Sequence, residues 1–294
     1  MNKILITGGT GMLGGYVTAA LAESKNEVIV TNRHELDLAD PARVYQYILD
    51  LKPSIILHFA AETNVDLCER EPGRAGIYNH IATMQIAKAA RDCGAWLLYI
   101  SSSNVFGSES GKYIHNELDL PQPLNYYGRS KLFGEHEVRA FCPTNHLIIR
   151  SGWMIGGGPE KDHKFVGKII QQIKDGATSL KAVNDKLGCI TYARQLCKFI
   201  IWAVENKPVG TLHYCSSGVV SRFDIAKAIG EMLNFEGSIT PVQSSMFPLS
   251  APRPLSEGIE SIYLDYYEGC PKPGHWKDDL ADYVSTFEGR FFLL

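Results

Sequence analysis

A tyrosine and a lysine four residues apart, Tyr127 and Lys131, are the side chains of this sequence best suited to move a proton. Four residues make about one helical turn, so on a helix the two side chains are neighbours on one face. An ammonium group stabilises a phenolate and lowers the pKa of a tyrosine from its ordinary value of about 10. A phenol tuned in this way can give or take a proton at a carbonyl or an alcohol. Because the spacing also fits a tyrosine that merely packs in a core, other motifs are needed to choose between the two interpretations.

A glycine-rich turn near the start of the chain indicates a site for a dinucleotide. The apolar residues 3–7 predict a strand, residues 12–23 predict a helix, and glycines repeat at every third position from Gly8 to Gly14 where the two meet. Glycines allow a tight turn and a close approach of the backbone to a pyrophosphate, whose charge is favoured at a helix N-terminus. The residues that we expect to bind the cofactor here are Gly8, Gly11, Met12 and Leu13.

The end of the second predicted strand, residues 27–31, bears on the choice of cofactor. A dinucleotide-binding unit usually has an acidic residue there, which binds the ribose 2′-hydroxyl of NAD. This sequence has Asn32 and Arg33 instead. Arg33 could meet a 2′-phosphate, so the sequence favours NADP(H) and leaves NAD(H) as the alternative. A solvated surface arginine would fit the same pattern.

Strands and helices continue to alternate as far as Arg150, which predicts a parallel sheet with helices on both faces. Further strands are predicted at 54–59, 96–100 and 146–150, and further helices at 41–51, about 75–92 and around Tyr127. The fold class is therefore α/β, a Rossmann-type doubly wound sheet. Polar loops follow two of the strands, from Ala60 and from Ser101, at the carboxyl edge where open sheets bind ligands.

Beyond Arg150 the alternation stops and the sequence predicts a smaller, mostly helical region. Helices are predicted at 165–174, 191–205, 221–233 and 276–284, and a loop rich in proline and serine at 241–258. We expect a dinucleotide-binding domain at 1–150, with 188–206 packing back on it, and a substrate-binding region at 151–294.

Composition excludes several other classes of protein. The net charge is −3 with no basic run, which argues against nucleic acid as a partner, and no apolar stretch approaches the length of a membrane span. The start of the chain lacks the apolar region of a signal peptide. Seven scattered cysteines without a Cys-x-x-Cys pair favour reduced thiols in the cytoplasm, and neither they nor the nine histidines show the spacing of metal ligands.

Taken together, the glycine turn, the Ala60-Ala61 loop, the 101–107 segment and Tyr-x-x-x-Lys resemble the extended short-chain dehydrogenase/reductase family over nearly the whole chain. In that family a Ser or Thr, a Tyr and a Lys form the catalytic set. By motif these are Ser102, Tyr127 and Lys131. The resemblance implies a nicotinamide cofactor, bound also by Tyr127 and Lys131, and it makes a homodimer plausible.

Local strings at 35–38, 60–69, 123–135, 150–153 and 253–254 are most similar to family members that reduce the 4-keto group of a nucleotide-linked 6-deoxy sugar. The resemblance adds as cofactor-binding residues Asp37, Leu38, Ala60, Ala61, Thr63 and Ser101. It gives as substrate-binding residues Thr63, Ser102, Ser103, Asn104, Tyr127 and Trp153, although Trp153 would equally fit a core position. The 101–106 segment is more similar to nucleotide-sugar epimerases and dehydratases, so the sequence does not fix which sugar is the substrate.

Two other functions are compatible with these motifs. One is a different enzyme of the same superfamily, either an epimerase or a reductase that makes another deoxysugar. The other is a non-catalytic regulatory subunit built on the same fold. The second does not require Ser102, Tyr127 and Lys131 together, and all three are present.

Overall fold

The computed structural model describes residues 1–107 and 113–288, apart from the side chain of the last of these. In the first half of the described chain the elements are β1 (Lys3–Thr7), α1 (Met12–Ala22), β2 (Glu27–Thr31), α2 (Pro41–Leu51), β3 (Ile55–His58), α3 (Val65–Arg70), α4 (Pro72–Ala75), a π-helical turn (Gly76–Ile81), α5 (Ala82–Cys93), β4 (Trp96–Ser102), a 3-10 turn (Ser103–Val105), β5 (Ile114–His115), α6 (Tyr126–Phe141) and β6 (His146–Ser151).

In the second half, short strands are interspersed with helices. The elements are β7 (Trp153–Ile155), α7 (Gly158–Lys161), α8 (Phe165–Lys174), β8 (Ser179–Val183), β9 (Leu187–Gly188), β10 (Ile190–Tyr192), α9 (Ala193–Asn206), β11 (Gly210–Tyr214), β12 (Val220–Ser221), α10 (Arg222–Met232), β13 (Ser238–Val242), β14 (Ser256–Ile259), α11 (Trp276–Ser285), and 3-10 turns at Ser244–Met246, Leu264–Tyr266 and Thr286–Glu288. No helix of the described ranges is long and apolar enough to cross a membrane.

Six parallel strands form the central sheet, in the order β11-β6-β4-β3-β1-β2. Its strands contain apolar runs, and the side chains of residues 4–7 in β1 and of all of β3 are almost completely buried. Such runs are expected where helices cover both faces of a parallel sheet. One face packs against α1 and α9, and the other against α2, α5 and α6. The predicted Rossmann-type doubly wound fold is confirmed.

The second half contains more strand than the sequence predicted. β11 pairs with β6 and extends the central sheet, although its residues fell in the expected substrate-binding region. The predicted loop at 241–258 includes the end of β13, which pairs with β8, and most of β14, which pairs with β5 and β9. Strands of two to five residues show too little periodicity to be recognised, because distant backbone partners rather than local pattern stabilise them.

A buried ion pair fixes α6 against the sheet. Glu135 on α6 is completely buried and accepts two hydrogen bonds from Arg150 of β6, at 2.9 and 2.7 Å. Arg139 and the hydroxyl of Ser101 complete the contacts of the carboxylate, at 2.8 and 2.6 Å. Burial raises the pKa of Glu135, but the hydrogen bonds and charge of Arg150, then Arg139 and Ser101, outweigh it and lower that pKa to about 2. α6 therefore enters the site at a fixed depth and rotation.

Replacing Arg150 with methionine should lower the free energy of unfolding by about 3 kcal/mol, because a buried carboxylate then loses its two-point partner. Denaturant unfolding at pH 7 measures this change. Arg139→Met is the matched control, since that side chain is 36% exposed and its loss should cost less. The stabilisation by ionised Glu135 is present above about pH 4.5 and is lost as the pH falls toward about 2, so the difference between wild type and Arg150→Met should shrink over that range. Equal losses from both arginine variants would contradict this assignment.

Candidate functional site

The first turn of α6 places Tyr127 against the carboxyl end of β4. The side chain of Asn125 caps the helix by accepting a hydrogen bond from the amide of Gly128 at 2.9 Å. A side chain at Gly128 would collide with the backbone carbonyl of Asn104. Glycine thus allows the helix to touch the 3-10 turn that follows β4. Ser102 thereby lies close enough to Tyr127 for its hydroxyl to lower the pKa of the phenol.

The sequence analysis expected the pKa of Tyr127 to be lowered, but in the structure that pKa is raised. Burial raises the pKa of Tyr127 to about 12, and the hydroxyl of Ser102 offsets this only in part. Lys131 is 2% exposed, with its ammonium nitrogen 4.2 Å from the ring centre of Tyr99. Burial lowers the pKa of Lys131 to about 7 against the opposing charge of Glu135. Near neutral pH the lysine is therefore often uncharged, and it does not depress the pKa of the phenol.

The glycine turn brings the backbone of three segments together. Gly8 has a φ of +71°, and a Cβ atom there would lie 2.7 Å from the amide nitrogen of Ala60. A Cβ atom at Gly14 would lie 2.6 Å from Cα of Gly9, so α1 can begin at this depth only with glycine. Gly11 is the N-cap of α1 and provides no side-chain hydrogen bond to its first amides. An uncapped helix N-terminus beside a narrow glycine turn fits a pyrophosphate.

Met12 and Leu13, two residues near this turn that we predicted to bind the cofactor, have side chains in different surroundings. Leu13 is 5% exposed and its side chain belongs to the core under α1. Met12 is partly buried, and its side chain lies beside Gly156 and Gly157 from the second half of the chain. Leu13 can therefore contact a ligand only through its backbone.

The loop after β3 carries Ala60, Ala61 and Thr63 and is fastened to α6. Asn79, in the π-helical turn, exchanges hydrogen bonds with both backbone groups of Glu62, at 2.8 and 3.0 Å. Its amide also donates to the hydroxyl of Ser130 on α6 at 3.0 Å. Ala60 and Ala61 are partly buried and Thr63 is exposed. The loop and α6 thus form one unit around the predicted site.

Arg33 lies just beyond β2 with its side chain 64% exposed. It donates a hydrogen bond to the hydroxyl of Tyr78 at 2.9 Å and lies 4.0 Å from the carboxylate of Asp37. Asp37 also accepts from the amide of Ala39 at 3.0 Å, while Leu38 is buried in the core. An exposed guanidinium at this edge can reach a 2′-phosphate.

The polar residues at the end of β4 and in the 3-10 turn after it do not all face the same way. Ser101 donates its hydroxyl to Glu135 at 2.6 Å, on the side of the sheet opposite to Ser102. Ser103 is 1% exposed. Asn104 uses its amide group to contact Glu257 at 2.5 Å and its carbonyl oxygen to accept from Asn125 at 3.1 Å. The side chains of Ser101 and Asn104 are thus engaged within the protein, and their assignment to ligands stays a prediction.

Trp153 lies on β7, where the second half of the chain meets the site. Its ring packs closely on Gly188, and the guanidinium carbon of Arg222 lies 4.5 Å from a ring centre. The half-buried Trp153 therefore has neighbours from the protein itself, as the core alternative expects, and its role as a sugar-facing wall stays a prediction.

Two contacts that the sequence prediction missed hold the second half against this site. Arg253 donates to Asp66 at 2.8 Å, and the amide of Ala251 donates to the other oxygen of that carboxylate at 2.9 Å. Asp66 thus fixes the loop. The Arg-Pro motif at 253–254 had pointed to this segment in the sequence, but nothing in the sequence indicated a role for Glu257. No cluster of potential metal ligands occurs within the described residues.

Comparison with known proteins gives consistent matches over nearly the whole chain. The family model described as the RmlD substrate binding domain matches residues 1–288. A dTDP-4-dehydrorhamnose reductase of Mycolicibacterium smegmatis is 31% identical over 98% of this chain and 86% of that protein. The crystal structure of a dTDP-4-dehydrorhamnose reductase from Yersinia enterocolitica is 68% identical, with a TM-score of 0.96 over 98% of this chain and 100% of that one. A Bacillus anthracis dTDP-4-dehydrorhamnose reductase in complex with NADP is 28% identical, with a TM-score of 0.89 over 97% and 99%.

The fold and these matches are those of a short-chain dehydrogenase/reductase, which confirms the resemblance drawn from the sequence, while the roles of Ser102, Tyr127 and Lys131 stay a prediction. Within that class, the chain belongs to the RmlD substrate binding domain family. It is an NAD(P)-dependent oxidoreductase.

Proposed function

We propose that this enzyme reduces the 4-keto group of dTDP-4-dehydrorhamnose, a nucleotide-linked 6-deoxy sugar, with NADPH as cofactor. The observation that supports this most directly is the contact of Ser102 with Tyr127, one turn from buried Lys131. All three lie at the carboxyl edge of the sheet, where the uncapped start of α1 also lies. The relatives named above act, by their names, on the same substrate.

Reduction needs a proton for the oxygen that becomes an alkoxide, and Tyr127 supplies it. With a pKa of about 12, the phenol is protonated at neutral pH and is therefore ready to donate. Ser102 orients the carbonyl by hydrogen bonding to the same oxygen. Once the phenol has lost its proton, its negative charge favours the ammonium form of Lys131, which in turn stabilises the phenolate. The nicotinamide supplies the hydride when it is bound.

Tyr127→Phe should reduce kcat by about 10²- to 10⁴-fold, because the variant lacks the proton donor. NADPH binding should stay within a few-fold of wild type. Turnover is measured from the absorbance of reduced nicotinamide with the 4-keto sugar nucleotide, and binding by titration. Tyr126→Phe is the matched control: it makes the same change one residue away, at a side chain that is 40% exposed, and should keep wild-type turnover. Near-full activity of Tyr127→Phe would remove Tyr127 from this role.

The same assay separates the rival functions. A reductase consumes one NADPH for each sugar reduced. An epimerase of the superfamily would interconvert sugars with no net loss of reduced cofactor. A regulatory subunit would turn over no keto sugar and would instead hold a stoichiometric partner.

We assign the preference for NADP(H) to Arg33, with NAD(H) as the weaker cofactor. Arg33→Ala should raise the KM for NADPH about tenfold and leave that for NADH nearly unchanged, since only NADPH carries a 2′-phosphate for the guanidinium to bind. Steady-state kinetics with both cofactors measures the two constants. Arg43→Ala, on the nearby exposed start of α2, controls for a general loss of positive charge. Parallel changes for both cofactors would contradict the assignment.

The oligomeric state and the compartment are further proposals. Ile77, Ile81 and Phe133 are 38%, 37% and 50% exposed on the packed pair formed by the 76–93 helical segment and α6. Such a patch supports a homodimer, which light scattering should detect as twice the chain mass; a monomer at micromolar concentration would exclude it. The seven unpaired cysteines support a reducing compartment, the cytoplasm, which cell fractionation would test.

A further inference from the structure

Glu257, on β14, is a buried carboxylate next to the proposed proton donor that the mechanism above does not use. It is 7% exposed. Burial raises its pKa, while Arg222, Trp153, Arg253 and Asn104 act in the opposite direction. A buried carboxylate is costly unless several partners stabilise it, so its position beside the site calls for a physical explanation.

A chain of hydrogen bonds runs from Glu257 to the first turn of α6. The carboxylate accepts from the side-chain amide of Asn104 at 2.5 Å. The carbonyl oxygen of Asn104 accepts from the amide of Asn125 at 3.1 Å. The side-chain oxygen of Asn125 accepts from the backbone amide of Gly128 at 2.9 Å. The side-chain amides of Asn104 and Asn125 each have only one orientation that satisfies these hydrogen bonds. The chain of hydrogen bonds therefore couples the position of β14 to the residues on either side of Tyr127.

We propose that Glu257 is a positioning residue for the reduction: by fixing Asn104 and, through Asn104 and Asn125, the N-terminus of α6, it holds the phenol of Tyr127 at the reacting carbonyl. This inference rests on the proposed function. A residue of the second half of the chain then sets the geometry of the proton donor in the first. Displacement of a reacting group by about 1 Å can cost on the order of 100-fold in rate.

The charge of Glu257 has a separate effect on Tyr127. Besides burial, the groups that act on the pKa of the phenol are Ser102 from β4, Cys68 from α3 and Glu257 from β14. Tyr99 of β4 also interacts electrostatically with Tyr127, and Lys131 lies one turn along α6. A nearby negative charge disfavours the phenolate, so Glu257 raises the pKa of Tyr127. Removing that charge should lower the pKa. The phenol would then lose the proton that it donates at a lower pH.

Two substitutions separate geometry from charge. Glu257→Ala removes the acceptor for Asn104, and kcat should fall about 10- to 100-fold with little change in KM for NADPH. Glu257→Gln keeps an acceptor but removes the charge. It should retain most of kcat at pH 7, while the alkaline limb of the kcat profile shifts to lower pH. Glu260→Gln is the matched control, an exposed carboxylate three residues away, and should have the wild-type profile.

A readout that does not need the sugar keeps this proposal distinct from the proposed function. The ring signal of Tyr127 in ¹³C-tyrosine-labelled, NADPH-bound enzyme is identified by its loss in Tyr127→Phe. It should shift in Glu257→Ala and stay in place in Glu260→Ala, at temperatures where thermal unfolding shows all variants folded. Wild-type enzyme that turns over no 4-keto sugar would overturn the proposed function alone. An unmoved Tyr127 signal, a Glu257→Ala kcat within twofold of wild type, or an alkaline limb of Glu257→Gln that coincides with wild type would overturn the role of Glu257.

Discussion

A polar stripe on α6, half-buried at Tyr127 and buried at Lys131 and Glu135, is the constraint on which the site depends. Tyr127, Lys131 and Glu135 are spaced by four residues, so they follow one another along the helix face that meets the sheet. At the inner end, Glu135 is held by Arg150 at two points. At the outer end, Asn125 caps the helix. Because both ends are fixed, the helix can neither rotate nor slide, and the two groups between them keep their positions without hydrogen-bonding each other.

The same stripe explains how the charges are distributed. Glu135 is ionised because its cationic partners outweigh burial, whereas Lys131 has mainly the attraction of Glu135, and a smaller one of Cys68, against its own burial. The lysine therefore lies close to the point where it gains or loses a proton. The protonation of a group in that state changes strongly when a new negative charge appears nearby. In the proposed mechanism that charge appears on Tyr127 as its proton leaves, so the lysine would act on the product of the proton transfer rather than on the resting phenol.

Several features of this arrangement could be predicted from the sequence because they depend on local pattern. The spacing of Tyr127 and Lys131, the glycines of the first turn and the apolar runs of the central strands each follow from neighbours along the chain. The direction in which the pKa of Tyr127 is shifted could not be predicted, because it depends on burial, which is a property of the packed structure. β11 and β14 were missed for a related reason: distant strands stabilise them, and Gly210–Tyr214 joins the sheet only through β6.

The two halves of the chain are joined at the site by polar contacts rather than by an apolar interface alone. Asp66 in the first half binds Arg253, and Asn104 binds Glu257 four residues further along the same segment. Both contacts are directional, and Asn125, whose amide donates to the carbonyl of Pro252 at 3.1 Å, makes a third contact with this segment. A slide of this segment would break all three, so sequence changes that adapt the second half to a different sugar must leave these contacts in register. On the proposed function, the second half of the chain is therefore free to vary in its exposed loops, but not along β14, whose Glu257 we propose to hold the proton donor in place.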